Sequence, residues 1–335
     1  MKRKVVFISP YNHNGSFAGA KKRVLSLCDS YKHFDDVEVI CFSPWAALSA
    51  DKHFVFSLDC NVFMRLAKLF VLSFKLMLIK PDFVFSESAL APIKFTHFKL
   101  IHVIHDAKFL TKHGRRKSFL AYCCHFLSGK YSDKILTVSN SEKKRLIKGL
   151  KLPDSKIYVS YNGVSDLWHQ PVKNKFYEYD LLYVSNYAKH KCHLQLLNLL
   201  RCSDLKIAFV GSDFGTLSEI KDYVSQSKID TSFFSNLSEC ELIDIYDKSR
   251  VFVFPSDLEG FGMPFVEARA RGLPVVCNDL PVFEELSSLI CGTIVSINTP
   301  DLFLEAIKEA ISTEKHFLNM DMFSWDYIAK KMLEF

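Results

Sequence analysis

Short apolar runs rich in Val, Ile and Phe alternate along this chain with stretches of helical periodicity. In the first half the runs are 4–10 (KVVFISP), 37–43, 53–57, 82–87, 100–106, 134–139 and 157–163; in the second they are 180–186, 205–211, 230–234, 251–256, 274–279 and 292–297. Runs of this length that are apolar at successive positions, not only at alternate ones, suit strands buried on both faces. Strands regularly separated by helices give parallel sheets covered by helices on both sides, so the pattern predicts an α/β protein. Two helix starts carry their own signal. Ser139 and Ser238 each precede a Glu by three residues, Glu142 and Glu241, the spacing of a capping box.

The periodicity breaks once, in a polar, Pro-containing stretch at about Trp168–Glu178, which reads as an interdomain linker. At 335 residues the chain is long enough for two domains, each with its own core. Two doubly wound sheets in tandem bind ligands outside the carboxyl ends of their strands, so functional residues are expected in strand-to-helix turns.

Charge divides at the same place. Residues 1–175 carry 29 Lys and Arg against 13 Asp and Glu, a net +16, whereas residues 176–335 carry 14 against 24, a net −10. The basic half is therefore expected to meet something anionic: a phosphorylated acceptor, a membrane surface or a nucleic acid. No nucleic-acid motif accompanies the charge, so nucleic acid is not taken as a partner. The most apolar stretch, 63–79, contains Arg65, Lys68 and Lys75 and falls short of a membrane span. With Lys80 and the segment 111–120 (TKHGRRKSFL) it fits an interfacial segment attracted to anionic lipid; taken singly, each also fits a core helix with solvated cationic edges or an ordinary loop. The ten cysteines form no C-x-x-C pair and no zinc spacing, which reads as reduced thiols of a cytoplasmic protein. The apolar part of the N-terminus is shorter than the core of a signal peptide and reads as a first buried strand.

Chemistry concentrates in the phrase PSDLEGFGMPFVEARARGLPVV at 255–276. Glu259 and Glu267 are separated by seven residues, and Gly260 and Gly262 let the backbone approach a ligand ahead of a helix that starts near Met263. A pair of glutamates at this spacing recurs by chance in many helices; the complete phrase does not. It resembles the nucleotide-binding signature of glycosyltransferase family 4, the retaining enzymes of the GT-B fold, with E-G-F-G-M-P-x-x-E intact. The phrase 181–200 (LLYVSNYAKHKCHLQLLNLL) is similar to that family's donor-domain turn, placing Lys191 as the diphosphate-binding lysine. A second cation usual in the family stands here as Asn186, with Lys189 as a substitute nearby. The segment 136–164 resembles the end of the acceptor domain. HVIHDAKFL (102–110) places His105 near the transferred sugar, although a histidine at a strand end is more often structural when it stands alone. The turn at 10–23 offers Gly15 and Gly19 as phosphate-loop candidates.

The resemblance implies a GT-B fold of two Rossmann-like domains, 1–170 for the acceptor and 171–318 for the nucleotide-sugar donor, with a C-terminal helix in 319–335 packing back towards the first. It implies that Glu267 accepts hydrogen bonds from the ribose and that Glu259 holds a donor-sugar hydroxyl. Phe261, Gly262 and Met263 line the pocket with their backbone, Lys191 neutralises the diphosphate, and His105 assists at the sugar. The donor is then a UDP- or GDP-sugar and the acceptor a saccharide or lipid-linked saccharide. No metal and no cofactor are expected, since no D-x-D cluster stands where a diphosphate would need one. The competing reading is a non-catalytic GT-B protein that supports a partner transferase, which the departure at Asn186 favours and the intact Glu259, Glu267 and Lys191 oppose. An epimerase acting on the same donor would need no acceptor.

Overall fold

The computed structural model describes residues 2–12, 19–107, 110, 115–172 and 176–335. The first compact unit is built from the chain up to Asn162 together with Trp325–Phe335; the second is Gly163–Ser324. The first contains, in order, β1 (Arg3–Ile8), α1 (Gly19–Tyr31), β2 (Val37–Ser43), β3 (Lys52–Val55), α2 (Val62–Ile79), β4 (Phe83–Ser86), β5 (Lys99–Ile104), α3 (Arg115–Tyr131), β6 (Lys134–Thr137), α4 (Asn140–Leu150) and β7 (Ile157–Val159). Its seven strands run parallel in the order β3-β2-β1-β4-β5-β6-β7. The second contains β8 (Tyr179–Val184), α5 (His193–Leu200), β9 (Ile207–Val210), α6 (Leu217–Ser227), β10 (Thr231–Phe234), α7 (Glu239–Asp247), β11 (Ser249–Phe254), α8 (Met263–Ala270), β12 (Val275–Cys277), α9 (Pro281–Ile290), β13 (Thr293–Ile294) and α10 (Pro300–Ile311). Its six parallel strands follow β10-β9-β8-β11-β12-β13. Each sheet thus reverses its winding beside its first strand, the switch point of a doubly wound fold. Every apolar run named above overlaps one of these strands.

The runs are continuous because both faces of each sheet are covered. In β1, Val5 and Phe7 pack into a core with Leu27 and Tyr31 of α1, while Val6 and Ile8 pack on the other face with Leu69, Leu72 and Leu76 of α2. The last helix, α11 (Trp325–Met332), completes the first of these cores with Trp325, Ile328, Ala329 and Met332. The Tyr31 hydroxyl donates to the Ala329 carbonyl at 3.0 Å. This helix is shorter than the 319–335 segment expected to hold it, since Ser324 and the residues before it belong to the second unit.

The first boundary also differs from expectation. Residues 163–170 belong to the second unit, not the first, because Trp168 is fully buried there. Its indole N–H donates to Glu239 at 2.8 Å, and its ring meets Tyr246 edge-on with centroids 5.1 Å apart. Arg271, also buried, donates to the Trp168 carbonyl at 2.8 Å and to the Gln170 carbonyl at 2.6 Å, and makes two 2.7 Å bonds to the two oxygens of Asp247. Of the two capping boxes, the one at Ser238 closes fully. At Ser139 only half forms: its hydroxyl accepts from the Glu142 N–H, but the Glu142 carboxylate turns to the N–H of Ala107 at 2.8 Å and to Arg145.

Removing one partner of the buried Arg271–Asp247 pair leaves a desolvated charge without its counter-ion. Asp247→Ala is expected to destabilise the second unit by about 3–5 kcal/mol, read as a lowered urea midpoint in the fluorescence of the buried Trp168; an unchanged midpoint would contradict this account of the pair.

Candidate functional site

In the second unit β8 and β11 are hydrogen-bonded neighbours at the switch point, so the turns that follow them lie side by side. Backbone and side chains stitch the two turns together. The Tyr183 hydroxyl donates to the Lys191 carbonyl at 2.8 Å and lies 2.9 Å from Ser256 Oγ, and the Asp257 N–H donates to the His190 carbonyl at 2.9 Å. Across this seam Lys191 Nζ meets Glu259 Oε1 at 2.5 Å. Their side chains keep only 15% and 12% of their surface exposed, a geometry in which the pair is screened far less than on open surface.

The phrase after β11 forms a loop and then α8. Gly262 caps that helix with φ +92°, and a Cβ there would stand 3.1 Å from the Phe283 ring and 3.3 Å from the Phe254 ring. Both facts call for glycine. Phe261 is buried, Met263 opens the helix, and the Phe265 N–H is returned to the Gly262 carbonyl at 3.0 Å. Gly260 lies in the loop between Glu259 and Phe261. Glu267, one turn into α8, is buried, and its Oε2 accepts from the Tyr246 hydroxyl at 3.1 Å. Burial, reinforced by the Glu267 charge, pushes the Tyr246 phenol well above its ordinary pKa, so it stays a donor throughout the physiological range. Tyr246 was invisible as a site residue in the sequence: it sits on α7, and only the fold brings it to Glu267.

Asn186 turns its amide oxygen towards the Ser212 N–H at 3.4 Å, joining the turn after β8 to the one after β9. Lys189 is exposed in the same short 3-10 turn as Lys191, Lys189–Lys191.

In the first unit His105 follows β5, half-buried, with Nε2 2.7 Å from Oε1 of the largely buried Glu87 at the end of β4. Ser9, at the end of β1, donates to the other oxygen of Glu87. Glu87 was not singled out from the sequence, because its partner lies 18 positions away on the next strand. Gly19 is the first residue of α1. Gly15 lies outside the described residues. Among the described residues no group of three or more His, Cys, Asp or Glu side chains is placed to hold a metal ion.

Residues 17–166 match the model of Glycosyltransferase Family 4, and residues 165–322 match that of Glycosyl transferases group 1. The chain belongs to the group 1 glycosyltransferases of the GT-B fold. Among curated relatives, the O-antigen chain mannosyltransferase RfbU of Salmonella typhimurium is 30% identical over 165 residues, covering 48% of this chain and 46% of the relative. The match thus spans less than half of that protein's length. Among solved structures, a glycosyltransferase from Rickettsia africae superposes with a TM-score of 0.73 at 19% identity, covering 99% of this chain and 97% of the other. HepE of Anabaena, in complex with UDP-glucose, superposes with a TM-score of 0.73 at 15% identity, covering 99% and 98%. These structures share its fold.

Gly262 and Gly215 both sit at positive φ, but a Cβ at Gly215 meets nothing. Gly262→Ala is therefore expected to cost more than the roughly 1–2 kcal/mol of left-handed backbone alone and Gly215→Ala no more than that. Thermal unfolding of the two variants side by side checks the difference, and equal losses would remove the packing argument at Gly262.

Proposed function

We propose that this group 1 glycosyltransferase moves a sugar, with retention of configuration, from a UDP- or GDP-sugar to a glycan or lipid-linked saccharide in the synthesis of a cell-surface polysaccharide or lipopolysaccharide. The observation that carries the proposal is the Lys191–Glu259 pair at the switch point of the second sheet, with the buried Glu267 in the helix that follows Glu259. A diphosphate presents more negative charge than one carboxylate, so a donor draws Lys191 onto its phosphates and leaves Glu259 to accept from a sugar hydroxyl. Glu267, held by Tyr246, accepts from the ribose hydroxyls, and the backbone of Gly260, Phe261, Gly262 and Met263 lines the pocket. The names of the relatives support a nucleotide-sugar donor: RfbU is an O-antigen mannosyltransferase, and HepE binds UDP-glucose.

Transfer develops positive charge at the anomeric carbon and negative charge on the departing diphosphate, so catalysis gains most by stabilising the leaving group. Lys191 supplies that charge. The acceptor attacks from the face the diphosphate leaves, and a diphosphate oxygen takes the acceptor proton as the new C–O bond forms and the old one breaks. This needs no enzyme nucleophile and no metal.

The same reading seats the protein peripherally on an anionic membrane at the cytoplasmic face. Helix α2 buries Leu69, Leu72 and Leu76 but leaves Phe63, Val71 and Leu78 exposed, at 86%, 55% and 77%. The rings of Phe70, Phe74 and Phe95 pack on one another at 5.2–6.1 Å between centroids and stay partly exposed. Residues 60–132 carry 12 Lys and Arg against three acidic residues, Asp82, Glu87 and Asp106. No helix among the described residues is long and apolar enough to cross a membrane. Exposed aromatic rings ringed by cations match an anionic bilayer surface. Part of the basic segment 111–120 lies outside the described residues.

Binding and hydrolysis across a panel of UDP-, GDP- and ADP-sugars test the transfer. One donor is expected to be selected, and turnover is expected to fall about 100-fold or more in both Glu267→Ala and Lys191→Ala. Binding of none would replace catalysis by the non-catalytic partner role. Sedimentation with vesicles tests the membrane seat: binding is expected with phosphatidylglycerol present, and about tenfold less in Phe63→Ser/Phe70→Ser. Equal binding to neutral vesicles, or none to either, would refute it.

A further inference from the structure

Lys191 closes the short 3-10 turn Lys189–Lys191, and the next residue, Cys192, stands at φ +58°, a left-handed conformation that a residue with a β-carbon adopts at a cost. Contacts from outside the turn hold it there. The Asp257 N–H donates to the His190 carbonyl at 2.9 Å, and the Tyr183 hydroxyl donates to the Lys191 carbonyl at 2.8 Å. A phenol has one hydrogen and a carbonyl only accepts, so the Ser256 hydroxyl, 2.9 Å away, donates to the phenol oxygen. The bonds thus run in one direction, from Ser256 in the turn after β11, through Tyr183, to Lys191 in the turn after β8. Ser256 is itself fixed by Asn278, which follows β12. The Asn278 amide donates to the Ser256 carbonyl and to Asp257 Oδ1, each at 3.2 Å, and its oxygen accepts from the Ile297 N–H at 2.9 Å. Tyr183, Ser256 and Asn278 are all buried, and burial pushes the Tyr183 phenol well above its ordinary pKa, so it remains a donor at physiological pH.

This chain of bonds ends on the backbone of the residue whose amine meets Glu259 at 2.5 Å. We propose that Tyr183 is a positioning residue for the donor diphosphate: its hydroxyl sets the backbone of Lys191, and through it the place where the Lys191 ammonium meets a phosphate. This rests on the sugar-transfer reading above. The Tyr183 ring packs with those of His193, Phe209 and Phe254 at 4.6–6.2 Å between centroids, so Tyr183→Phe keeps the packing and removes the hydroxyl alone. The effect that follows is selective: binding weakens where it depends on the diphosphate and holds where it depends on ribose and base.

Titration with UDP and GDP, and with uridine and guanosine as phosphate-free probes, tests the role. In Tyr183→Phe the Kd of the nucleoside diphosphate that the wild type binds is expected to rise about tenfold, and that of the matching nucleoside to stay within about twofold. In a Lys191→Ala background the carbonyl bond persists but no amine is left to place, so Tyr183→Phe should add no further loss. Ser256→Ala leaves the Tyr183 donor intact and should cost less, about two- to threefold. Acetylation of amines by N-acetoxysuccinimide gives a readout that needs no nucleotide. Lys191, shielded against Glu259, should label faster in Tyr183→Phe than in the wild type, with the exposed Lys189 as internal standard. Equal losses for diphosphate and nucleoside, or additive losses in the double variant, reduce Tyr183 to a structural residue. A Ser256→Ala loss as large as that of Tyr183→Phe overturns the assignment of Tyr183 as the donor that places Lys191. Unchanged Lys191 labelling in a chain that binds UDP or GDP overturns the role of Tyr183 alone. Labelling governed by Tyr183 in a chain that binds neither retires the transfer reading, and the diphosphate role with it.

Discussion

A parallel strand buried on both faces has nowhere to place a charged side chain except near its ends, and this constraint organises the whole molecule. In both sheets the strand interiors are filled mainly with Val, Ile, Leu, Phe and Tyr, and charged groups stand at the strand ends, as Arg3, Lys99 and Lys134 do, and in the turns. Where the winding reverses, between β8 and β11, two such turns come together without a helix filling the space between them. That is where Lys191 and Glu259 meet. The same logic places Ser9, Glu87 and His105 at the ends of β1, β4 and β5, three successive strands of the other sheet.

Holding charges there requires a second layer of contacts. The Tyr183 hydroxyl spans the two turns of the second unit, Tyr246 reaches Glu267 from α7, and Arg23 sits behind Glu87. Each is a large, buried side chain whose polar end serves a neighbour and whose body fills the core. Packing and placement are therefore one task for these residues, and a substitution that leaves the volume intact still disturbs the chemistry.

The fold was largely legible because its signals are local and redundant: continuous apolar runs, helix caps and a sign change in charge. The phrase at 255–276 was legible for a similar reason, since its glycines and glutamates are contiguous and Gly262 meets a backbone need that no other residue meets as well. What escaped notice depends on distance in sequence. The unit boundary was placed too late because the indole of Trp168 finds Glu239, Tyr246 and Arg271 only in the folded chain. The Ser139 box was read as complete because nothing in the local sequence reveals that the Ala107 N–H competes for Glu142. Glu87 looked like the polar end of a strand until its neighbours on both sides were known.

The two crossings of the chain set the order in which this protein is completed as it is made. Strands β1 to β7 of the first unit are synthesised before any of Gly163–Ser324, yet Trp325, Ile328, Ala329 and Met332 belong to their core beside Leu27 and Tyr31. Gly163–Ser324 is continuous and emerges whole, while its predecessor stands with one face of its first helix uncovered. The first unit is thus the later of the two to close, since its core waits for a helix synthesised after the whole of the second.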